Sequence, residues 1–149
     1  MRKIAIASEH AGYHLKEFLK PVLSEEGFEA LDLGVGSDQP VDYPLIAEEL
    51  ANAVISEKAE KGILICGTGI GMSIAANKVR GIRAAHCTDL FTAKMTRLHN
   101  DANILCLGAW LTGERLSKEI ALTFLNTEFE GGRHIPRIEK ITLVEQHNA

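Results

Sequence analysis

The sequence predicts an α/β protein: a three-layer, Rossmann-like, doubly wound sandwich around a five-stranded parallel sheet. Two observations carry that expectation. Short apolar runs alternate with longer segments of helical period, which is the pattern of βαβ units. The size also fits, because 149 residues with 46% hydrophobic and 24% charged content suit one domain over residues 1–149. No repeat, linker or low-complexity stretch interrupts it.

The first strand is expected at Lys3 to Ala7, followed by a helix from about Ala11 to Glu26. In that helix Leu15, Phe18, Leu19 and Val22 share one face at helical spacing, and Gly27 stops it. Phe28 to Leu33 reads as the second strand and Gly34 to Pro40 as a loop. Pro44 suits a helix start, and Leu45, Ala47, Leu50, Ala51 and Val54 carry the second helix. Gly62 to Cys66 is the third strand, Gly67 to Gly71 a turn, and Met72 to Val79 a helix. Ile82 to Cys87, a helix from Leu90 to Leu98, and Asn103 to Leu107 repeat the unit. Helices near Glu114 to Leu125 and Ile138 to His147 complete the chain.

Composition narrows the functions. A net charge of −4 supplies no basic field for nucleic acid or for an anionic membrane surface. Cys66, Cys87 and Cys106 are odd in number and widely spaced, with no CxxC pair. A disulfide framework or structural zinc site is therefore not expected, and a reducing compartment is. The start, Met1-Arg2-Lys3 before a short apolar run, lacks the apolar core of a signal peptide and the length of a membrane span. The expectation is a soluble, cytoplasmic protein.

In a doubly wound sheet, ligands lie beyond the carboxyl ends of the strands. The residues there are Ser8-Glu9-His10, Gly34, Cys66-Gly67-Thr68, Cys87-Thr88-Asp89 and Gly108-Ala109-Trp110. The third strand runs straight into Gly67-Thr68-Gly69-Ile70-Gly71. Three glycines in five positions allow a tight turn whose amides converge on an anion, and the following helix adds its positive end. The loop is not a dinucleotide fingerprint, since Met72 follows Gly71, and no lysine makes it a P-loop. What it holds is a thiol beside an anion-stabilising turn. Cys66 is then an activated base or nucleophile, or simply a small buried apolar residue; strand and loop alone leave both readings open. Cys106 lies within an apolar strand and reads as core.

Six segments together carry a resemblance. They are Ser8-Glu9-His10-Ala11-Gly12, Asp42-Tyr43-Pro44, Ile65 to Gly71, Ser73 to Lys78, Arg97-Leu98-His99-Asn100-Asp101 and Gly131-Gly132-Arg133-His134. In order and across essentially the whole chain, they resemble the type B ribose-5-phosphate isomerases, which form one family with the bacterial galactose-6-phosphate isomerase subunits. The resemblance implies a homodimer, or a dimer of dimers, with active sites at the subunit interface. It implies interconversion of ribose 5-phosphate and ribulose 5-phosphate through an enediolate, without metal or organic cofactor.

Roles follow from the resemblance residue by residue. Cys66 is the base, and Thr68 with the amides of Gly67, Gly69, Ile70 and Gly71 stabilises the enediolate. His99 opens the furanose ring, a task suited to a side chain titrating near neutrality; by itself it reads as a histidine favouring a helix C-terminus. Asn100 is a sugar-hydroxyl ligand supplied across the dimer, and Tyr43 touches the sugar. His10, Arg133 and Arg137 hold the phosphate, for which arginine's planar fork is suited. His10 and His14 are four apart, but no carboxylate or third histidine joins them to make a metal site.

Two positions depart from the family pattern. Glu9 stands where the family carries Asp as a sugar-hydroxyl ligand, and Trp110 stands where an Arg often binds phosphate. Both bear on which sugar is accepted. The alternatives are therefore an isomerase of another sugar phosphate, such as allose or galactose 6-phosphate, and a non-catalytic sugar-phosphate or nucleotide sensor.

Overall fold

A computed structural model describes residues 1–149. Its five strands are β1 (Arg2–Ser8), β2 (Phe28–Asp32), β3 (Lys61–Cys66), β4 (Ala84–His86) and β5 (Ile104–Gly108). The helices are α1 (Tyr13–Glu25), α2 (Tyr43–Ile55), α3 (Ile70–Ala76), α4 (Leu90–Asn100), α5 (Glu114–Asn126) and α6 (Ile135–His147). Short 3-10 turns at His10–Gly12 and Gly132–His134 precede α1 and α6. No helix is long and apolar enough to cross a membrane.

All pairings are parallel, in the order β2-β1-β3-β5-β4. The expected α/β sandwich is the observed one. Strand alternation assigns each core its residues. Ile4, Ile6, Ile63, Ile65, Leu105 and Leu107 meet α1, α4 and α5 through Leu19, Ala93 and Phe124. Ala5, Ala7, Leu64, Cys66, Ile104 and Cys106 face α2 and α3 through Leu50, Ala51 and Met72. Cys66 therefore points into the α2–α3 layer, at the carboxyl end of a fully buried strand.

Three elements differ most from expectation. α3 begins two residues early and ends three early. Gly69, at φ +85°, starts it, and the Asn77 side chain leaves the helix to serve β4. Its amide donates to the Ala84 carbonyl at 2.9 Å, and its oxygen accepts from the Ala84 N–H at 2.8 Å. β4 is shorter than expected, since the Asn103 side chain takes the Arg83 N–H at 2.8 Å and Cys87 lies past the strand end. α6 begins at Ile135, with Pro136 in its first turn, where a missing N–H costs nothing.

One buried ion pair ties α1 to the sheet. Lys16 is fully buried, and its ammonium donates to both Asp32 oxygens at 2.9 and 2.8 Å. Lys20 adds a third bond to Asp32 at 2.7 Å. Burial alone would raise the Asp32 pKa, but these bonds and the Gly34 amide bring it below the usual carboxylate value.

Candidate active site

The loop after β3 is fixed from three sides. A β-carbon on Gly71 would stand 2.7 Å from the Tyr43 ring, and one on Gly67 would stand 2.6 Å from the Trp110 indole. A β-carbon on Gly108 would collide with the Thr68 backbone. Glycine is required at each place because a neighbour already fills the space of a side chain. The Ala109 and Trp110 amides donate to the Cys66 and Gly67 carbonyls, both at 2.9 Å, which fastens the loop to the end of β5.

Inside this frame the Gly69 N–H donates to Cys66 Sγ at 3.1 Å. The sulfur is thus held at the mouth of the loop by a backbone donor. The loop amides are expected to serve both the thiol and the substrate, and the Gly69 N–H is the one that meets the thiol. Thr68 Oγ1 accepts from the Ile70 N–H at 3.1 Å, which leaves the hydroxyl proton to donate elsewhere. Burial raises the pKa of the other two thiols, Cys87 and Cys106, as suits core residues.

Glu9 and His10 flank the same mouth. Gly12 packs so closely on Ile65 that a β-carbon would lie 2.6 Å from its side chain, and the Glu9 N–H donates to the Ile65 carbonyl at 3.2 Å. The Glu9 carboxylate is buried and folds back on its own turn. One oxygen accepts from the Ala11 N–H at 2.7 Å, and the other lies 2.9 Å from His10 Nδ1 without hydrogen-bond alignment. The extra methylene relative to Asp is thus taken up locally.

His86 and Trp110 were not among the expected site residues. His86 ends β4, and its ring lies against Gly69, 2.7 Å from where a β-carbon would be. The apolar pattern predicts that strand to run on to Cys87, which makes His86 strand interior rather than strand end. Trp110 was noted at the end of β5, but its seat against Gly67 had no sequence signal.

The remaining expected residues form a second cluster at the opposite end of the sheet. Cys66 pairs with Gly108 at the end of β5, whereas Gly62 pairs with Ile104 at its start. Four strand residues span about 13 Å. α4 starts after β4 and runs back, so that His99 and Asn100 lie just before the turn into β5. α5 ends there too, and Arg97 binds the next segment in place. Its guanidinium donates to the Thr127 carbonyl at 3.0 Å and the Ala102 carbonyl at 2.7 Å, and pairs with Asp101 at 2.8 Å. The Glu130 N–H donates to the Leu98 carbonyl at 3.1 Å.

This strap puts His134 against His99, with ring centroids 4.2 Å apart and planes 16° from parallel. Burial, then the neighbouring His99 and Arg133, push the His134 pKa below its ordinary value. Arg133 and Arg137 are exposed beside it. One chain therefore brings Glu9, His10, Tyr43 and residues 66–71 together. It gathers His99, Asn100, Arg133 and Arg137 elsewhere.

The profile described as Ribose/Galactose Isomerase matches residues 4–141. The chain belongs to the ribose/galactose isomerase family. Within that family it is 45% identical to the ribose-5-phosphate isomerase B of Escherichia coli over 146 residues, 98% of either chain. It is 43% identical to the D-erythrulose-4-phosphate isomerase of Pectobacterium atrosepticum over 147 residues, covering 97% of this chain and 96% of that one. The solved ribose-5-phosphate isomerase B of Clostridium thermocellum superposes with a TM-score of 0.97 at 48% identity, covering 99% of both chains.

Proposed function

We propose that this chain interconverts ribose 5-phosphate and ribulose 5-phosphate, with Cys66 as the carbon base. The carrying observation is the Gly69 N–H held 3.1 Å from Cys66 Sγ at the end of β3. A thiolate so placed removes the C2 proton of the open-chain aldose and returns it to C1. The intervening enediolate takes hydrogen bonds from Thr68 and the loop amides of Gly67 and Gly71, the Ile70 N–H being given to Thr68 Oγ1. His99 transfers the proton that opens the ring, Asn100 and Tyr43 hold sugar hydroxyls, and His10, Arg133 and Arg137 hold the phosphate. Glu9 orients His10. The reaction moves protons only, so no metal or organic cofactor is needed for it.

The working unit is a homodimer in the cytoplasm, each site drawing Cys66 from one protomer and His99 from its partner. The separation of the two clusters supports this, as does the exposed apolar rim around the mouth. Phe91 is 70% and Trp110 74% exposed, with Ile70, Ile74 and Leu111 also open. α6, which buries none of its residues in the chain, offers a further face for pairing. Residues 1–149 act as one domain in this reading, since both cores share the one sheet.

Family members act on sugars of different length, and Glu9 and Trp110 sit where selectivity would be set. An NMR assay of the purified protein against tetrose, pentose and hexose phosphates tests the proposal. Conversion of ribose 5-phosphate that Cys66→Ala abolishes, with binding retained, is the expected result. Preference for another sugar would move the substrate assignment only. Failure to convert any sugar phosphate, or turnover indifferent to Cys66, would favour a sensor and end the isomerase reading.

A further inference from the structure

We propose that His99, Glu130 and His134 form a binding site for a divalent transition-metal ion of borderline softness, above all Zn²⁺. The three ligand atoms lie within 4.8 Å of one another. Glu130 Oε2 is 3.8 Å from His99 Nε2 and 3.9 Å from His134 Nε2. His134 supplies the independent sign of a ligand. Its ring is 4% exposed, yet Nε2 has no hydrogen-bond partner and faces the carboxylate. Buried imidazole nitrogens are normally satisfied, and an ion between these groups would satisfy this one.

The donor set is two imidazoles and a carboxylate, which leaves a fourth position open to water. Zinc–ligand bonds of about 2.0–2.1 Å separate tetrahedral ligand atoms by about 3.4 Å. The Nε2–Oε2 distances must therefore close by about half an ångström, and the near-parallel rings must splay so that their lone pairs converge. The parts that must move are free to do so, because the Glu130 and His99 side chains are 46% and 38% exposed. The part that must stay is held, since the Glu130 N–H is tied to Leu98 and Arg97 braces the strap. Arg133 and Arg137 lie close enough to act on His134 and oppose a cation. The site is thus reversible rather than structural.

Its consequence rests on the role given to His99 above. A metal ion on Nε2 occupies the lone pair that would accept a proton, so the loaded protein cannot open the sugar ring. Zinc becomes an inhibitor, relieved by a chelator.

The test uses the full-length protein, stripped with chelator and titrated with Zn²⁺ by calorimetry and with Co²⁺ by visible absorption. The expected result is one ion per chain, giving Co²⁺ d–d bands without a thiolate charge-transfer band. Glu130→Gln and His134→Asn should each weaken binding about tenfold or more. No binding, affinity unchanged in Glu130→Gln, or a thiolate band that puts the ion on Cys66, would each overturn the site. Glu130 is exposed, so its variant decides the matter even if His134→Asn misfolds. Metal that binds as expected but leaves isomerisation untouched at saturation upholds the site and overturns the role of His99.

Discussion

Trp110 lies against Gly67, its nearest ring atom 2.6 Å from where a β-carbon would stand. Because it is the only tryptophan in the chain, its emission reports on the loop that carries Cys66. Saturating sugar phosphate should change the intensity or wavelength of that emission in wild type and in Cys66→Ala alike. Gly67→Ala should push the indole away and lower kcat about 100-fold, as misplacement of about 1 Å does when geometry limits the rate. Unchanged emission on substrate binding would remove Trp110 from the pocket.

If each site draws on two protomers, two dead variants should rescue one another. Cys66→Ala and His99→Asn are each expected to lose about 100-fold or more of turnover. Random re-pairing of equal amounts makes half of the dimers mixed, each with one intact and one doubly damaged site. Mixing after reversible dissociation should therefore restore about one quarter of wild-type activity, the arithmetic of a shared two-fold interface. A mixture no more active than its parents would place the whole site within one protomer.

Asp32 is the counter-charge of a lysine with no exposed surface. Asp32→Ala leaves that buried ammonium without its counter-charge. The expected cost is about 3–5 kcal/mol of unfolding free energy, readable from the urea midpoint. Asp32→Ala with Lys16→Met should recover much of the loss, since a buried pair replaced together by apolar groups is tolerated.

At the amino end of the sheet, Glu60 accepts two hydrogen bonds from Arg2, at 2.9 and 2.7 Å, and one from Lys61 at 2.8 Å. The Arg2 bond, against desolvation and with help from Lys61, holds its pKa down to about 2. A carboxylate lowered in the folded state contributes stability above its unfolded pKa of about 4.3. That contribution fades as pH falls from there toward 2. Thermal melts should show Glu60→Gln less stable than wild type at pH 6, with the gap closing through that acid window.

The elements around Cys66 were legible because local pattern and tertiary need agree there. A continuous apolar strand ends in a glycine run that nothing but a tight turn explains. Boundaries failed where a side chain reached across the chain, as Asn77 does to end α3 and Asn103 does to shorten β4. The fold-back of Glu9 was equally invisible, since one added methylene does not say which way a carboxylate turns. His86 is illegible as a strand end because the apolar Cys87 extends the pattern one residue past the last paired position. The separation of Cys66 from His99 is a property of topology, set by α4 running back along the sheet, and no motif spacing encodes it. The pairing of His134 with His99 depends on the Arg97 strap, whose contacts span up to 30 residues.

The Asn77 side chain has a consequence beyond local geometry. Its primary amide offers β4 one donor and one acceptor, both met at Ala84, much as an adjoining peptide would. β4 is the outermost strand on that side, where an open ladder would invite another chain to add itself. A single asparagine thus acts as a terminator, closing the sheet against open-ended growth. If the apolar rim around the mouth stays open until a second copy covers it, the chain has one fewer way to polymerise in the interval.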